Sequence, residues 1–256
     1  MERYLSGKVA LVTGASSGIG RATALLFAQR DAHVAIAARR VEALDSVVEE
    51  IERFGGSAAA FPTDVSQPAE VEALIENVVA RFGRLDAAFN NAGIMGAWGE
   101  IGDHTVANFD DVIDTNLRGT WLCCKAEIAR MKQQDHGGAI VNTSSWLARG
   151  AFPGSTLYTM SKAGMDGMAR ALALETGSSG IRVNNVNPGI IDTEMLRNST
   201  TDETRKPFLA HTPMKRVGTS DEVAEAVVWL CSDASRFVTG QTILIDGGYT
   251  IPGNRP

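Results

Sequence analysis

The chain is poor in the residues that build metal centres, disulfide scaffolds and basic surfaces. Its 256 residues hold three cysteines and four histidines. Cys123 and Cys124 are adjacent and Cys231 is remote, so no zinc or redox spacing exists. Adjacent cysteines in a helical stretch read as small apolar core residues. His33, His104, His136 and His211 are scattered without ligand spacing, and no metal is expected. Positive charge is also short, and 24 basic against 30 acidic residues leave a net charge of −6. That argues against a nucleic-acid surface. No apolar run approaches the roughly 20 residues that span a bilayer. The opening Met1-Glu-Arg-Tyr-Leu-Ser-Gly-Lys8 lacks the apolar core of a signal peptide. A cytoplasmic protein with no membrane or nucleic-acid partner is expected.

Linkers and repeats are missing too. No Pro/Gly/Ser-rich stretch interrupts the chain midway, so residues 1–256 read as one domain with an ample core. What is present is an unbroken alternation of strand and helix patterns. Strands are predicted at 9–13, 33–38, 57–61, 85–89, 138–142, 181–186 and 242–245. Helices are predicted from Arg21, from Leu44 to Ile51 and from Val71 to Phe82, the last capped by Ser66 with Pro68 in its first turn. A long helix is expected over 105–134, another over 156–176 and a last one capped by Ser220. Residues 187–219, with Pro188, Pro207 and Pro213, read as irregular, with a substrate lid near 189–215. Strand–helix alternation implies right-handed crossovers and a parallel sheet covered on both faces. Ligands then bind beyond the carboxyl ends of the strands.

The stretch Val9-Ala-Leu-Val-Thr-Gly-Ala-Ser-Ser-Gly-Ile-Gly20 sits at such an end. Strand, glycine turn and helix together present free backbone N–H groups and a positive helix end to a phosphate. Further along, Tyr158 and Lys162 are four apart on a predicted helix and share a face. A free phenol, with a pKa of about 10, is a poor base at neutral pH. An ammonium about 5 Å away, at an effective dielectric near 20, favours phenolate by roughly 3 kcal/mol and lowers its pKa by about 2 units. Ser145, with Ser144 beside it, follows the fifth strand, where a hydroxyl can hold a carbonyl oxygen. Asn116 falls inside the long helix, where asparagine is a poor former. A kink there would free a carbonyl to hold a water near Lys162.

Thr13-Gly-x-x-x-Gly-x-Gly20, Asn90-Asn-Ala-Gly93, Asn116, Ser145, Tyr158-x-x-x-Lys162 and Pro188-Gly189 together resemble the short-chain dehydrogenase/reductase family, over about Gly7 to Gly248. The resemblance implies an α/β fold, a Rossmann-type, doubly wound, seven-stranded parallel sheet with helices on both faces. It implies Tyr158 as general acid/base, Lys162 lowering its pKa and holding the nicotinamide ribose, Ser145 orienting the substrate oxygen and Asn116 extending a proton relay. Gly14, Ser16 and Ile19 would line the cofactor, with Ser17 offering a hydroxyl. Asp64 and Val65 would touch adenine, and Asn90 and Gly93 the adjacent ribose side. Ile191 and Thr193, after Pro188, would position carboxamide and pyrophosphate. A homodimer or homotetramer is implied as well.

The second strand ends at Ala38-Arg39-Arg40. No carboxylate stands there to hold ribose hydroxyls or repel a 2′-phosphate, and Arg39 can fork onto a phosphate. NADP(H) is therefore expected over NAD(H), and the reaction is hydride transfer between nicotinamide and a ketone or secondary alcohol. Met95, Trp98, Trp146, Leu147, Phe152, Ile190, Met195 and Phe208 form an apolar candidate pocket for a lipophilic or cyclic substrate. Alternatives are a 3-oxoacyl-carrier-protein reductase, whose acidic partner would want basic Arg130, Lys132, Lys215 and Arg216 near the mouth, and a sugar or polyol dehydrogenase. A non-catalytic cofactor sensor or structural subunit is the alternative of another class.

Overall fold

A computed structural model describes residues 5–253. Seven strands form one parallel sheet in the order β3-β2-β1-β4-β5-β6-β7. They are β1 (Val9–Thr13), β2 (His33–Ala38), β3 (Ser57–Pro62), β4 (Ala87–Asn90), β5 (Gly138–Thr143), β6 (Ile181–Pro188) and β7 (Thr242–Ile245). The order reverses between β1 and β4, which opens a crevice at the carboxyl ends of the strands.

Both faces of the sheet are covered, because strands buried on both sides must shed water twice. On one face lie α1 (Gly18–Gln29), α2 (Val41–Arg53) and α9 (Ser220–Cys231), packing Phe27, Leu44, Ile51, Val223 and Val227 against Val12, Ile36 and Phe89. On the other lie α3 (Pro68–Phe82), α5 (Gly119–Met131) and α6 (Thr156–Thr176), with Leu74, Val78, Ile128, Met131 and Ala169 against Leu11, Ile140 and Val183.

Four local expectations need correction. Ser66 does not cap α3, because its hydroxyl is committed to Asp64 Oδ1 at 2.8 Å and Gln67 occupies the cap position. Thr219, not Ser220, caps α9, in a capping box closed by Glu222. The helix expected over 105–134 is α4 (Val106–Val112), a π-helical segment (Ile113–Arg118) and then α5. The stretch read as irregular carries two helices, α7 (Glu194–Ser199) and α8 (Asp202–His211), started by the Thr193 and Thr201 side chains. Pro207 sits inside α8 and removes one of its hydrogen bonds.

Candidate active site

The ends of β1 and β4 are joined first. Thr13 Oγ1 accepts from the backbone N–H groups of Asn91 at 3.1 Å and Ala92 at 3.2 Å. Gly14, at φ +65°, takes the left-handed conformation this approach needs, and a Cβ there would meet the Ala92 backbone at 2.8 Å. α1 then starts at Gly18 with no side-chain cap from Ser17 and no acidic residue in its first turn. Its first N–H groups and positive end are left for an anion from outside the helix.

The crevice widens into a cleft of about 1120 Å³ that Gly14, Ser16, Ser17, Ile19, Arg39 and Arg40 line on one side. Asp64, Val65, Gly93, Pro188, Ile191 and Thr193 also reach it, and so do Ser145, Tyr158 and Lys162. Two predicted residues do not. Asn90 is turned away into the core, where its Nδ2 donates to Glu127 Oε2 at 2.9 Å and Asn142 Oδ1 at 3.1 Å. Its side chain is therefore not available to a ribose, and the neighbouring Asn91 lines the cleft in its place. Asn116 stands behind the wall in the π-helical segment, fully buried. Its Oδ1 accepts from Ile94 N–H and its Nδ2 donates to Ile94 O, both at 2.8 Å. The expected kink exists, but the Asn116 carbonyl accepts the Thr120 hydroxyl at 2.8 Å. The side chain clamps the strand exit that carries Gly93 and Ile94.

Helix α6 delivers Tyr158 and Lys162 to the cleft one turn apart. Lys162 Nζ lies 5.6 Å from the Tyr158 ring centroid and donates to the Thr143 carbonyl at 2.7 Å. The Ser144 hydroxyl donates to the Lys162 carbonyl at 2.9 Å, so α6 is tied to the end of β5. Ser145 follows, its Oγ accepting from Leu147 N–H at 3.2 Å. Burial pushes the Tyr158 phenol up to about 12, opposed by a hydrogen bond with Ser145. Burial also brings Lys162 down to about 8, opposed by the charge of Asp166. The expectation of a lowered phenol is thus reversed in the protein by itself. Desolvation of the phenolate is the largest cause, and the Lys162 hydrogen bond goes to Thr143 rather than to the phenol.

All eight apolar pocket candidates, from Met95 to Phe208, line the cleft. Aromatic rings form a continuous wall, with Trp98 and Phe152 centroids 5.6 Å apart and Phe152 and Phe208 5.5 Å apart. Tyr249 backs this wall, 6.0 Å from Phe208 and 4.8 Å from Trp146. The sequence reading missed Tyr249, although Gly247-Gly248 just after β7 marks a turn at the same end of the sheet. It also gave Arg39 the leading role at the β2 end. In the structure Arg40 makes the contacts, reaching Ser16 and Ser17 hydroxyls at 3.1 Å each and Glu194 at 3.4 Å.

The arrangement fits a dinucleotide. The glycine turn and uncapped helix suit its diphosphate, and the β2 end suits its adenosine side. Among the described residues no cluster of His, Cys, Asp and Glu could hold a metal, and no helix is long and apolar enough to cross a membrane.

Comparison with known proteins agrees with this geometry. Residues 14–250 match the family model described as enoyl-(acyl carrier protein) reductase. The chain is 42% identical over 251 residues to the A-factor type gamma-butyrolactone 1′-reductase (1S-forming) of Streptomyces virginiae, covering 96% of this chain and 97% of that one. It is 39% identical over 250 residues to a cyclohexanol dehydrogenase of an Acinetobacter species, covering 98% of each. A solved short-chain type dehydrogenase/reductase from Mycobacterium marinum superposes with a TM-score of 0.92 at 36% identity, covering 98% of both chains.

Proposed function

The chain belongs to the short-chain dehydrogenase/reductase family of oxidoreductases, whose members bind nicotinamide cofactors and act on alcohols and ketones, and from that premise we propose that it is an NADP(H)-dependent oxidoreductase of lipophilic, cyclic or ring-bearing ketones and the matching secondary alcohols. One observation carries the reading. Tyr158, Ser145 and Lys162 open onto the same cleft as the glycine turn and the uncapped start of α1. When bound, the nicotinamide supplies or accepts the hydride, and the protein handles the proton.

In reduction Ser145 Oγ donates to the carbonyl oxygen, and the Tyr158 hydroxyl delivers the proton to it as charge develops there. Burial keeps the Tyr158 phenol protonated in the protein by itself, the form that donates in that direction. In oxidation the Lys162 ammonium favours the phenolate that must accept the proton, and a bound oxidised nicotinamide would add to that effect. Lys162 also offers further N–H donors to a ribose, beyond the one given to Thr143. Asn116 holds the Ile94 backbone by two hydrogen bonds and so fixes this part of the cleft wall.

Two observations support NADP(H). The end of β2 carries Arg39 and Arg40 and no carboxylate, and both arginines line the cleft. Arg40 already sits among the Ser16 and Ser17 hydroxyls, a donor set suited to a 2′-phosphate. The aromatic wall supports an apolar substrate. Of the basic residues that an acyl carrier would want, one is remote from the mouth and another is already paired. Arg130 donates to Gly83 O at the amino end of the sheet, and Arg216 is paired with Glu222. The proposal includes self-association as a homodimer or homotetramer, supported by exposed Phe109, Trp121, Trp229 and Phe237.

The test follows reduced-cofactor absorbance with cyclic ketones, 3-oxoacyl thioesters and sugars. Turnover of cyclic ketones, with NADPH bound at least about tenfold tighter than NADH, a difference of about 1.4 kcal/mol, supports the reading. Preference for thioesters or for NADH overturns the corresponding half of it.

A further inference from the structure

Behind the catalytic cleft, side chains of three neighbouring strands form a buried polar row. Asn90, Asn142 and Asn185 are register partners on β4, β5 and β6. Asn90 Nδ2 donates to Asn142 Oδ1, and Asn142 Nδ2 to Asn185 Oδ1, each at 3.1 Å. A carboxylate closes each end. Glu127 on α5 accepts from Asn90 at 2.9 Å, and Asp166 on α6 accepts from Asn185 at 3.0 Å. The other Asp166 oxygen accepts from Asn187 Nδ2 at 3.3 Å.

Asp166 is buried, stands one helical turn after Lys162, and is held by neutral amides on both oxygens. Lys162 is buried as well, and its oxygen partner is a neutral carbonyl. Among the described residues neither makes a direct ion pair. Opposite charges one turn apart in a desolvated stretch attract far more than on a wet surface.

We propose that Asp166 is a positioning residue for the reaction, keeping Lys162 protonated by its buried charge and locking the Lys162 turn of α6 to the end of β6. This rests on the reading of Tyr158 and Lys162 given above. The mechanical half is visible in four bonds at one level: Lys162 Nζ to Thr143 O, Ser144 Oγ to Lys162 O, and Asn185 Nδ2 to both Met165 O and Asp166. The electrostatic half agrees with the opposed effects on Lys162, which burial lowers and Asp166 raises.

Other charged and titratable groups on the elements packed against α6 are engaged elsewhere or exposed. On α5, Glu127 is bound to Asn90, Cys124 to Asn142, and Lys125 lies over Trp121, while Cys123 is a buried thiol that desolvation pushes up. In the π-helical segment Arg118 pairs with Asp114. Asp110 and Asp111 on α4 are exposed. Arg149 reaches Thr242 O, and Arg182 binds carbonyls at the opposite end of β6. On α6 itself, Arg170, one turn after Asp166, and Glu175 are exposed, and Tyr158 is the remaining titratable neighbour.

The test reads the lysine directly, without cofactor or substrate. The Lys162 Cε resonance of ¹³C-lysine-labelled protein, assigned by its loss in Lys162→Met, is titrated in the natural protein and in Asp166→Asn. The midpoint should fall by about one pH unit in the variant, and Asp166→Glu should restore it. The high-pH limb of ketone reduction should move down in parallel, with about a fivefold loss at pH 8 and little at pH 6. An unmoved midpoint in a folded variant overturns the proposal, even if activity drops evenly at every pH. Should Asp166→Asn not fold, Asp166→Ser carries the same expectation. The underlying reading fails separately, if Lys162→Met still turns over ketones.

Discussion

The two sides of the cleft are built by different means. On the β1–β2 side, the wall consists of a glycine turn, free N–H groups, the Ser16 and Ser17 hydroxyls and the two arginines Arg39 and Arg40, over an apolar cluster. On the β4–β6 side, the wall consists of reactive side chains standing on a buried polar row from Glu127 to Asp166. Backbone donors need no support beyond the turn that aims them, and they suit a cofactor whose diphosphate never changes. Side chains that move protons must be held in place by their neighbours. The price is buried polarity, and it is incompletely satisfied. Asn90 Oδ1, Glu127 Oε1 and Asn187 Oδ1 have no partner in the structure.

The contrast breaks most sharply if the row is cut in its middle. Asn142→Leu strands the amides of Asn90 and Asn185 and should cost about 3 kcal/mol, the range for breaking a buried network. Urea unfolding measures this, and a change below about 0.5 kcal/mol would make the row ornamental. On the other side, Gly14→Ala forces a side chain into a left-handed position against the Ala92 backbone. It should cost about 2 kcal/mol of stability and weaken cofactor binding in a titration, while leaving the Lys162 midpoint unmoved.

A smaller effect sharpens the same point. Burial pushes the Glu127 carboxyl up to about 7. The folded chain then binds more protons than the unfolded one between about 4.5 and 7, so stability falls as pH rises through that window. Glu127→Gln removes the titration and keeps an acceptor for Asn90 Nδ2. Its advantage over the natural protein should grow by about 2–3 kcal/mol between pH 5 and pH 8. Thermal unfolding at both values checks it, and a pH-independent difference would contradict it.

The backbone-built side was the more legible one in the sequence. Glycine spacing after an apolar run marks a turn by itself, and β1 and β2 fall where alternation places them. Helix α6 also runs over its expected span, Thr156–Thr176, so Tyr158 and Lys162 share a face as read. What was not legible is where strand polarity points. Asn90 seemed to belong to the ligand because it ends a strand, but it alternates with Phe89 and so faces α5. Asn142 and Asn185 alternate with Val141 and Val186 in the same way, and register across three strands is not written in any one of them. Helices α7 and α8 were hidden by prolines, although Thr201 with Thr204 three residues on forms a capping box. The shift of Tyr158 escaped because pairwise charge arithmetic omits desolvation.

The central claim is that Tyr158 moves the proton and that the opposite wall holds the cofactor independently of it. Tyr158→Phe deletes one oxygen and leaves the ring in place, so turnover and cofactor affinity are to be measured on the same preparation. The account predicts at least a 10²-fold loss of turnover with the cofactor dissociation constant within about threefold of the natural protein, under about 0.7 kcal/mol. A variant that keeps most of its turnover would contradict it.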